Sequence, residues 1–372
     1  MRLPGHHLAE WLAARGRRVA YVSAPVSPWH FLSGARRAEA RRRWSLEGAR
    51  GRWRTPRIYT MIPRTMLPVH RSPMLDTDFA WRWSERLTIP RASRVLAAEG
   101  FAGAEVLTMH NLQLAGLLDA LPHRRFVLRL EDDIAGFPEM PRAIVRNEAE
   151  LIARADIVTV TAARLRAKAH AAGARRVVDV PNGVDTARFR RPESLPPRPA
   201  DLPPGPVAIY VGALDSWFDE ELLAEVASRL KGWNFALIGP PRREFAKLRA
   251  LSNVHFLGPR APSLVPAYLW HSQAGLIPFR RIPLIESVSP LKLFEYLAAG
   301  LPVVATRWEE IERLASPARL AAEAREFADS LEESLVSPAD GVAWAGAYDW
   351  DAIFQRLDAA VENIAESSPS GA

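Results

Sequence analysis

The sequence predicts an α/β protein built from two doubly wound domains. Apolar strands alternate with amphipathic helices along most of the chain, and a proline-rich stretch at residues 190–206 separates two such series. A helix at residues 289–299 also runs directly into the short apolar strand 303–305, as in a parallel sheet covered by helices. We place the domain boundary in the proline-rich stretch, because such a segment is an extended spacer.

The composition limits the class of protein. A chain of 372 residues with 48% hydrophobic residues can bury two cores. No stretch reaches the roughly 18 apolar residues of a membrane span and no signal peptide pattern opens the chain, so we expect a cytoplasmic protein. The absence of cysteine excludes disulfides, thiolate catalysis and cysteine-bound metal. The net charge of +7 favours anionic partners.

The N-terminal domain begins on a helix. Residues 3–16 predict a helix ending at Gly16, and residues 19–22 predict a strand. Because a doubly wound domain normally starts with a strand, the first strand is expected to be missing. We favour the loss of upstream residues over a sheet that is filled differently. His6 and His7 would then belong to the loop that faces the acceptor, although a histidine at a helix start is more commonly a solvated cap.

Residues 34–57 form a basic segment in which nine arginines are interleaved with Trp44 and Trp53. Such a segment is typical of a protein that rests on an anionic bilayer, where each cation contributes about 1 kcal/mol. A solvated loop and a nucleic-acid site are the alternatives. No nucleic acid is expected, since no helix-turn-helix, zinc-finger or RNA-recognition signature accompanies the arginines.

The candidate catalytic residues follow a predicted strand at residues 125–130. Glu131, Asp132 and Asp133 stand at its carboxyl end, where α/β folds keep their ligands. Neighbouring like charges raise a carboxyl pKa, and a raised carboxylate suits proton abstraction from a hydroxyl. The alternative is that these carboxylates cap the following helix. Two looser Asp-x-Asp pairs, at residues 76–78 and 349–351, are interpreted as structural, and no metal site is expected.

The second domain carries the candidate donor residues. Its predicted strands lie at 207–211, 233–238, 254–257 and 274–277, with helices near 219–230, 241–250 and 264–270. Gly212, followed by Ala213, comes directly after the first of these strands and lets the backbone approach a phosphate or sugar. The predicted loop 278–289 offers Arg280 to a diphosphate.

The helix at residues 289–299 has a charged face. Ser289 and Pro290 are predicted to open it as cap and first residue, Leu291 begins its apolar stripe, and Lys292 and Glu295 share one side of its first turns. A cation, a carboxylate and free backbone amides suit a nucleotide diphosphate. The alternative is a solvated ion pair that contributes roughly 0.3 kcal/mol.

The run from residue 289 to 305 resembles the C-terminal signature of GT-B glycosyltransferases. The resemblance implies two Rossmann-like domains facing each other across a cleft, with the nucleotide sugar on the second and the acceptor on the first. It also implies that Lys292 approaches the phosphates and that Glu295 binds the ribose hydroxyls. Many members carry another glutamate eight positions before Glu295, where this chain has Ser287, with Glu286 one place off.

Two further segments carry the resemblance. Residues 129–137 resemble a strand end of a bacterial membrane-associated glucuronosyltransferase family of exopolysaccharide assembly, in which an aspartate three residues after an arginine is the base. That position is Asp132 here, with Asp133 as the alternative. Residues 181–189 match a recurrent GT-B segment, which implies that Asn182 faces the cleft; the strand end at Thr161 is similar to another cleft-facing position.

The resemblance therefore implies a metal-independent hexosyl- or glucuronosyltransferase without a cofactor. It would move a sugar from a nucleotide diphosphate sugar, with UDP as the expected nucleotide, to a hydroxyl of a saccharide or lipid-linked acceptor in envelope or exopolysaccharide synthesis. Residues 34–57 would hold it at the inner face of the plasma membrane. The alternatives are a non-catalytic nucleotide-sugar-binding homologue and a basic nucleic-acid-binding protein.

The predicted domain limits follow from these segments. We expect an N-terminal acceptor-binding domain at residues 1–195 and a nucleotide-sugar-binding domain at residues 204–345. A last helix at 346–366 is expected to cross back to the first domain, before a disordered tail at 367–372.

Overall fold

The structure is a computed structural model that describes residues 4–31, 37–69, 74–334 and 340–367. The chain divides into two compact units. The N-terminal unit comprises residues 3–180 together with residues from 357 onward, and the C-terminal unit comprises residues 181–356. The division comes earlier in the chain than the predicted linker, because residues 182–189 pack within the C-terminal unit, where Val184 pairs with Asp349. Of the predicted tail 367–372, Ser367 is the last residue of the final helix, and residues 368–372 lie outside the described residues.

The elements follow one another in a largely alternating order. The strands are β1 (Val19–Val22), β2 (Arg52–Thr55), β3 (Ile58–Met61), β4 (Ala104–Met109), β5 (His123–Leu130), β6 (Ile157–Val160), β7 (Val177–Asp179), β8 (Val207–Val211), β9 (Asn234–Ile238), β10 (Val254–Gly258), β11 (Ala274–Ile277), β12 (Val303–Thr306) and β13 (Arg319–Ala321). The α-helices are α1 (Pro4–Ala14), α2 (Arg37–Leu46), α3 (Asp78–Arg82), α4 (Ala92–Leu96), α5 (Leu117–Ala120), α6 (Arg142–Arg154), α7 (Ala163–Ala171), α8 (Thr186–Phe189), α9 (Glu220–Arg229), α10 (Ala246–Arg249), α11 (Val265–Trp270), α12 (Pro283–Glu286), α13 (Leu291–Ala298), α14 (Glu309–Arg313), α15 (Ala324–Ser334), α16 (Gly341–Gly346) and α17 (Trp350–Ser367). Short 3₁₀ turns lie at Pro28–Phe31, Leu112–Leu114, Ile134–Gly136 and Pro262–Leu264, and a π turn lies at Ala97–Phe101.

The C-terminal unit is built on one parallel sheet of six strands. Their order is β10-β9-β8-β11-β12-β13, and every residue of β8, β11 and β12 is buried, as expected of central strands covered on both faces. The chain order reverses between β8 and β11, which is the topological switch point where open α/β sheets bind ligands. The loop after β8 and helix α13, which follows β11, therefore lie where a ligand site is expected.

The N-terminal unit has two sheets. Strands β4, β5, β6 and β7 form a parallel sheet in chain order, while β3 pairs with β1 in parallel and with β2 in antiparallel orientation. Strands β1 and β4 are each the end strand of their sheet, and the described residues contain no ladder between them. The single doubly wound sheet expected here is therefore divided in two, because β1 and β4 exchange no backbone hydrogen bonds. The missing first strand stays a prediction.

Several elements differ from the sequence expectations. The basic segment folds into α2 and β2 rather than a loop, and β3 was missed because its alternating pattern, with Tyr59 and Met61 buried, is only four residues long. Helix 241–250 shortens to α10, and the predicted loop 278–289 contains α12. None of the helices in the described ranges is long and apolar enough to cross a membrane.

Helix α17 contributes to both units. It begins at Trp350, and its later residues belong to the N-terminal unit. There the carbonyl of Val361 accepts a hydrogen bond from Nη1 of Arg125 at 2.5 Å, and Asp358 lies 3.6 Å from Nη2 of Arg17. These contacts attach the end of the chain to β5 and to the residues before β1.

Candidate functional site

The donor residues of the C-terminal unit centre on Lys292 in the first turn of α13. Its ammonium nitrogen lies 5.2 Å from the ring centres of both Tyr210 and Phe279. A Cβ built on Gly212 would lie 2.5 Å from Cε and 2.9 Å from Nζ of Lys292. The glycine predicted to allow a close approach thus makes room for this lysine at the carboxyl end of β8, and the ammonium lies at the topological switch point.

Lys292 and Glu295 are partly buried, and neither makes a hydrogen bond or ion pair with another residue in the described part of the chain. Burial lowers the pKa of Lys292 to about 8, against the opposing charge of Glu295. Burial also raises the pKa of Glu295 to about 7, although Lys292 and Arg188 favour its ionised form. Lys292 and Glu295 are therefore not the solvated ion pair that their spacing alone would allow. Both side chains are partly desolvated and remain available to a ligand.

Ser289 does not cap the helix as predicted. Pro290 occupies the cap position and no side chain donates or accepts a capping hydrogen bond, so Pro290 is not the first helical residue either. The buried hydroxyl of Ser289 has no hydrogen-bond partner among the residues described, while the backbone carbonyl of Ser289 accepts a bond from Nδ2 of Asn182 at 2.7 Å. Asn182, which was predicted to face the cleft, therefore lies beside Ser289, just ahead of α13, with the predicted donor residues Pro290 and Leu291 following.

The other predicted donor residues lie around the loops after β8 and β11. The carbonyl of Ala213 accepts a bond from the hydroxyl of Tyr210 at 2.8 Å. Arg280 has an exposed side chain, and its backbone amide donates to Trp217 in the loop after β8. Glu286 accepts from the amide of Glu309 at 3.3 Å, a contact that gives this glutamate a local structural role at the start of α14.

In the N-terminal unit, the Glu131 carboxylate is held by Arg129 and His110. Nε of Arg129 donates to its carboxylate at 3.1 Å, and Nδ1 of His110 lies 3.4 Å away. Burial alone would raise the pKa of Glu131, but the hydrogen bonds and positive charges of His110 and Arg129 outweigh it and lower the pKa to about 2. Glu131 is therefore a fixed negative charge beside Asp132.

Asp133 is bound by Lys168. The ammonium of Lys168 lies 2.7 Å from the Asp133 carboxylate and 2.5 Å from the buried carboxylate of Glu148. The Asp133 carboxylate also accepts from the amide of Ala135 at 3.3 Å and so caps the short turn that follows β5. The capping alternative is thus the role that the structure gives to Asp133.

Asp132 makes no hydrogen bond or ion pair with any residue that the structure describes. Burial raises its pKa to about 6, and the negative charges of Glu131 and Asp133 add to the shift. A carboxylate with this pKa is ionised near neutral pH and is still basic enough to accept a proton from a polarised hydroxyl. Of the two candidate bases, Asp132 has the chemistry that the role requires.

The other residues that were predicted on the acceptor side differ in their contacts with this carboxylate cluster. The hydroxyl of Thr161 donates a hydrogen bond to the carbonyl of Glu131 at 2.8 Å. This bond holds the chain in place just after β5, and it already uses the hydroxyl proton of Thr161. His6 packs against Tyr21 with ring centres 4.4 Å apart, and Glu131 adds to the effect of burial in raising the pKa of Tyr21. His7 is a partly buried residue of α1.

Sequence reasoning missed His110, Tyr21 and Lys168. His110 directly follows β4, the neighbour of β5, so its place at the same sheet edge was a usable signal. Tyr21 stands near the carboxyl end of β1, which offers the same kind of signal. Lys168 lies within α7, and no local pattern could have placed it beside Asp133.

The Asp-x-Asp pairs have structural contacts. The carboxylate of Asp76 accepts from the amides of Arg142 and Ala143 at the start of α6, and Asp78 pairs with Arg146 at 2.9 Å. In the described part of the chain no group of three or more histidines and carboxylates is arranged to hold a metal ion.

The tryptophans of the basic segment are packed. Trp44 lies under Arg64 and against Phe31, and Trp53 stacks on Phe101 while its indole nitrogen donates to Glu99 at 2.8 Å. Arg36 of this segment lies outside the described residues. The two aromatic side chains that suggested a membrane contact are therefore partly buried and packed against neighbouring side chains.

Comparison with known proteins gives two family matches. Residues 205–337 match the family described as glycosyl transferases group 1, and residues 2–161 match the glucuronosyltransferase GumK N-terminal domain. The chain is also 32% identical over 188 residues to the putative teichuronic acid biosynthesis glycosyltransferase TuaH of Bacillus subtilis. That alignment covers 48% of this chain and 47% of the relative, so it spans about half the length of the curated protein.

Solved structures share the whole architecture at low identity. Sucrose-phosphate synthase from Thermosynechococcus elongatus has a TM-score of 0.70 at 16% identity, over 97% of this chain and 92% of that protein. HepE of Anabaena in complex with UDP-glucose has a TM-score of 0.63 at 14% identity, over 97% of this chain and 96% of that protein. These likenesses confirm the GT-B fold of two α/β domains that the sequence predicted.

Proposed function

We propose that this chain, a glycosyltransferase of the GT-B class, moves a sugar from a nucleotide diphosphate sugar to a hydroxyl in the synthesis of a cell-envelope polysaccharide. UDP is the expected nucleotide, the acceptor is a saccharide or lipid-linked saccharide, and the sugar is a hexose or glucuronate. The proposal includes no metal ion and no cofactor.

One observation carries the proposal: Lys292 lies at the switch point of the C-terminal sheet and forms no ion pair within 4 Å with any residue that the structure describes. A diphosphate would supply a counter-ion and would accept hydrogen bonds from the ammonium and from the unpartnered hydroxyl of Ser289. Glu295, three residues further on the same helix, would accept bonds from the ribose hydroxyls. The first amides of α13, which also have no partner within the helix, favour the same negative charge.

We assign the base to Asp132. The acceptor hydroxyl oxygen would form a bond to the anomeric carbon of the donor as the bond from that carbon to the phosphate oxygen breaks. The hydroxyl proton would pass to the Asp132 carboxylate, and the nucleoside diphosphate would leave with the bonding electrons. Lys292 would stabilise the negative charge that grows on the leaving phosphate in the transition state. A single displacement of this kind inverts the anomeric centre.

The proposed function also includes binding of the protein to a membrane surface. The arginines of residues 34–57 would attract anionic lipid headgroups, each worth about 1 kcal/mol near the surface, and so bring a lipid-linked acceptor within reach. The protein would then act in the cytoplasm, peripherally at the inner face of the plasma membrane. Since Trp44 and Trp53 are packed, the contribution of this segment is electrostatic.

Calorimetric titration with UDP and GDP tests the donor site. We expect UDP to bind, and Glu295→Ala to weaken that binding roughly tenfold to a hundredfold through the loss of charge-assisted hydrogen bonds. Glu286→Ala is the matched control, because Glu286 bonds to the backbone amide of Glu309; its UDP affinity should stay within about twofold of the wild type. Failure of both nucleotides to bind, or equal effects of the two substitutions, would refute the assignment.

A further inference from the structure

Glu148 is a buried carboxylate in the middle of α6. Its side chain is 3% exposed, and one of its carboxylate oxygens lies 2.5 Å from the ammonium of Lys168. The other oxygen, Oε1, is shielded from solvent and has no hydrogen-bond partner among the described residues. Burial of an ionisable carboxyl group with one oxygen unpartnered costs folding free energy. The position of Glu148 therefore calls for a reason other than stability.

The ammonium of Lys168 is shared between two carboxylates. From α7 it contacts Glu148 on α6 and, at 2.7 Å, Oδ1 of Asp133 in the turn after β5. The same Oδ1 accepts a hydrogen bond from the amide of Ala135 at 3.3 Å, so the ammonium lies at the start of that turn. The side chains of Lys168 and Asp133 are partly exposed. Glu148 is thus the buried end of a row of three charged groups that reaches the surface at Asp133.

Lys168 is protonated at neutral pH, and its positive charge is offset within this row. Burial alone would lower the pKa of Lys168, but its hydrogen bonds to Asp133 and Glu148 outweigh burial and raise that pKa. Burial raises the pKa of Glu148, whereas the hydrogen bond and the charge of Lys168 act in the opposite direction. Among these three side chains, no positive charge is left without a negative partner.

Asp132 lies between two carboxylates that already have hydrogen-bond partners. Glu131 and Asp133 flank it in the chain, and their negative charges act on it. The titratable and charged side chains that face these flanking carboxylates come from neighbouring elements and are Tyr21, His110, Arg129, Glu148 and Lys168. Any change in the charge that is paired with Asp133 therefore acts next on Asp132.

We propose that Glu148 is a positioning residue for glycosyl transfer: it holds Lys168 on Asp133 and so leaves Asp132 free to take the acceptor proton. The inference rests on the proposed function, which assigns the base to Asp132. Because the Glu148 carboxylate is shielded from solvent, it acts only through Lys168. It fixes the ammonium from the buried side, and its negative charge offsets the positive charge that Lys168 would otherwise exert on Asp132.

Two substitutions separate the charge of Glu148 from its hold on Lys168. Glu148→Gln keeps an oxygen that can accept a hydrogen bond from the ammonium but removes the negative charge. Glu148→Met removes both at similar volume. Neither leaves a buried charge unpaired, because Lys168 keeps Asp133 and its side chain is 29% exposed. The melting temperatures of both variants should therefore stay within about 4 °C of the wild type.

The first readout needs no substrate. Carbon-13 NMR of the full chain, labelled at the aspartate carboxyl carbons, follows the titration of Asp132, whose signal is assigned by its loss in Asp132→Asn. The wild-type group should titrate near pH 6. Both Glu148 variants should lower this midpoint by about 0.5 pH unit, because the charge of Lys168 is then less offset. Lys168→Met should raise it.

The second readout is turnover of UDP-sugars. The acid limb of kcat/KM should move with the NMR midpoint of Asp132. Glu148→Gln should keep kcat within about threefold of the wild type, whereas Glu148→Met should lower it about tenfold because the ammonium is no longer held in place. In the Lys168→Met background, Glu148→Met should change kcat by less than about twofold, since no ammonium is left to hold.

The matched control is Glu150→Gln on the same helix. Glu150 lies 3.0 Å from Arg82, and its side chain is 36% exposed. Residues two apart on a helix face different sides, so this variant removes a carboxylate from α6 without touching Lys168. Its Asp132 midpoint should stay within about 0.1 pH unit of the wild type. An equal shift in Glu150→Gln would overturn the proposal.

The remaining outcomes separate this inference from the proposed function. If the Glu148 variants lose melting temperature or rate while the Asp132 midpoint stays in place, Glu148 is only structural and the positioning role is wrong. That result leaves the assignment of the base intact. Retained turnover in Asp132→Asn would instead contradict the proposed base, whatever the titration of Asp132 shows.

Discussion

Lys168 lies 2.7 Å from Asp133 and leaves Asp132, one residue earlier, without a partner among the described side chains. The same ammonium contacts the buried Glu148, and these two hydrogen bonds raise the pKa of Lys168 against the opposite effect of burial. Asp132, which the sequence favoured as the base, and Asp133, its alternative, thus have different environments. Asp133 is paired with Lys168, whereas the Asp132 carboxylate remains available to a ligand.

The first prediction separates the two aspartates. Asp132→Asn should lower kcat by about 10²–10⁴-fold, because the acceptor proton loses its base, with UDP affinity within about twofold of the wild type. Asp133→Asn should retain kcat within about tenfold and lose about 1 kcal/mol of folding stability, since it weakens a helix cap and a partly exposed ion pair. Transfer kinetics with UDP-sugars and thermal unfolding measure both. The reverse pattern would make Asp133 the base.

The second prediction concerns the acid limb of kcat/KM. Asp132 must be ionised to accept a proton, so activity should fall as the pH drops through about 6. Glu131→Gln removes a neighbouring negative charge, lowers the pKa of Asp132 and should move the limb to lower pH. Lys168→Met removes a positive charge from beside Asp133, raises the pKa of Asp132 and should move the limb to higher pH. If both variants lose rate without moving the limb, their role is only structural.

The third prediction is a pH optimum for UDP binding. Lys292 must be protonated to bind the diphosphate, so affinity should fall as the pH rises through about 8. Glu295 accepts hydrogen bonds from the ribose hydroxyls best when it is ionised, so UDP affinity should also fall as the pH drops through about 7. Lys292→Gln should bind UDP roughly tenfold to a hundredfold more weakly and lack the alkaline decline.

The matched variant Glu295→Gln should lack most of the acid decline in the same titrations. The ionisation of the nucleotide affects the wild type and the variants equally, so it cancels in the ratio of their affinities at each pH. Identical pH profiles for the wild type and the two variants would show that these side chains do not contact UDP.

The fourth prediction uses two glycines that are close in space. A methyl group on Gly212 would collide with the end of the Lys292 side chain, which can move away. Gly212→Ala should therefore weaken UDP binding about tenfold, and because the φ of +155° at Gly212 strains any other residue, it should also cost about 1–2 kcal/mol of stability. A methyl group on Gly239 would lie 1.9 Å from the backbone oxygen of Gly212, at a φ of +144°, so Gly239→Ala should destabilise the fold by about 3 kcal/mol.

Gly346 provides the control for this pair, because nothing lies within 4 Å of a Cβ built there. Gly346→Ala should change neither UDP binding nor stability by more than about 1 kcal/mol. A Gly212→Ala variant that binds UDP like the wild type would mean that the ammonium position next to β8 is not used by the ligand.

Much of the fold could be predicted because its signals are local. Local patterns predict β8 and β11 from their apolar runs, α13 from its apolar stripe, and β12 from the apolar residues after Pro302. The alternation of strands and helices along the chain then predicts parallel sheets. Short or interrupted elements such as β3 and α10 were missed or overextended, since a few residues carry too little periodicity. The expected cap at Ser289 failed because Pro290 moves the helix start by one residue.

By itself, the sequence determined the two α/β domains, the charged helix face at Lys292 and Glu295, and the three carboxylates after β5, all of which depend on residues close together in the chain. Tertiary structure decided which aspartate is available, because Lys168 reaches Asp133 from a helix 35 residues away. It also packed Trp53 against Phe101 and left Phe79 exposed. Burial and charge pairing depend on which distant segments meet, and no local pattern contains that information.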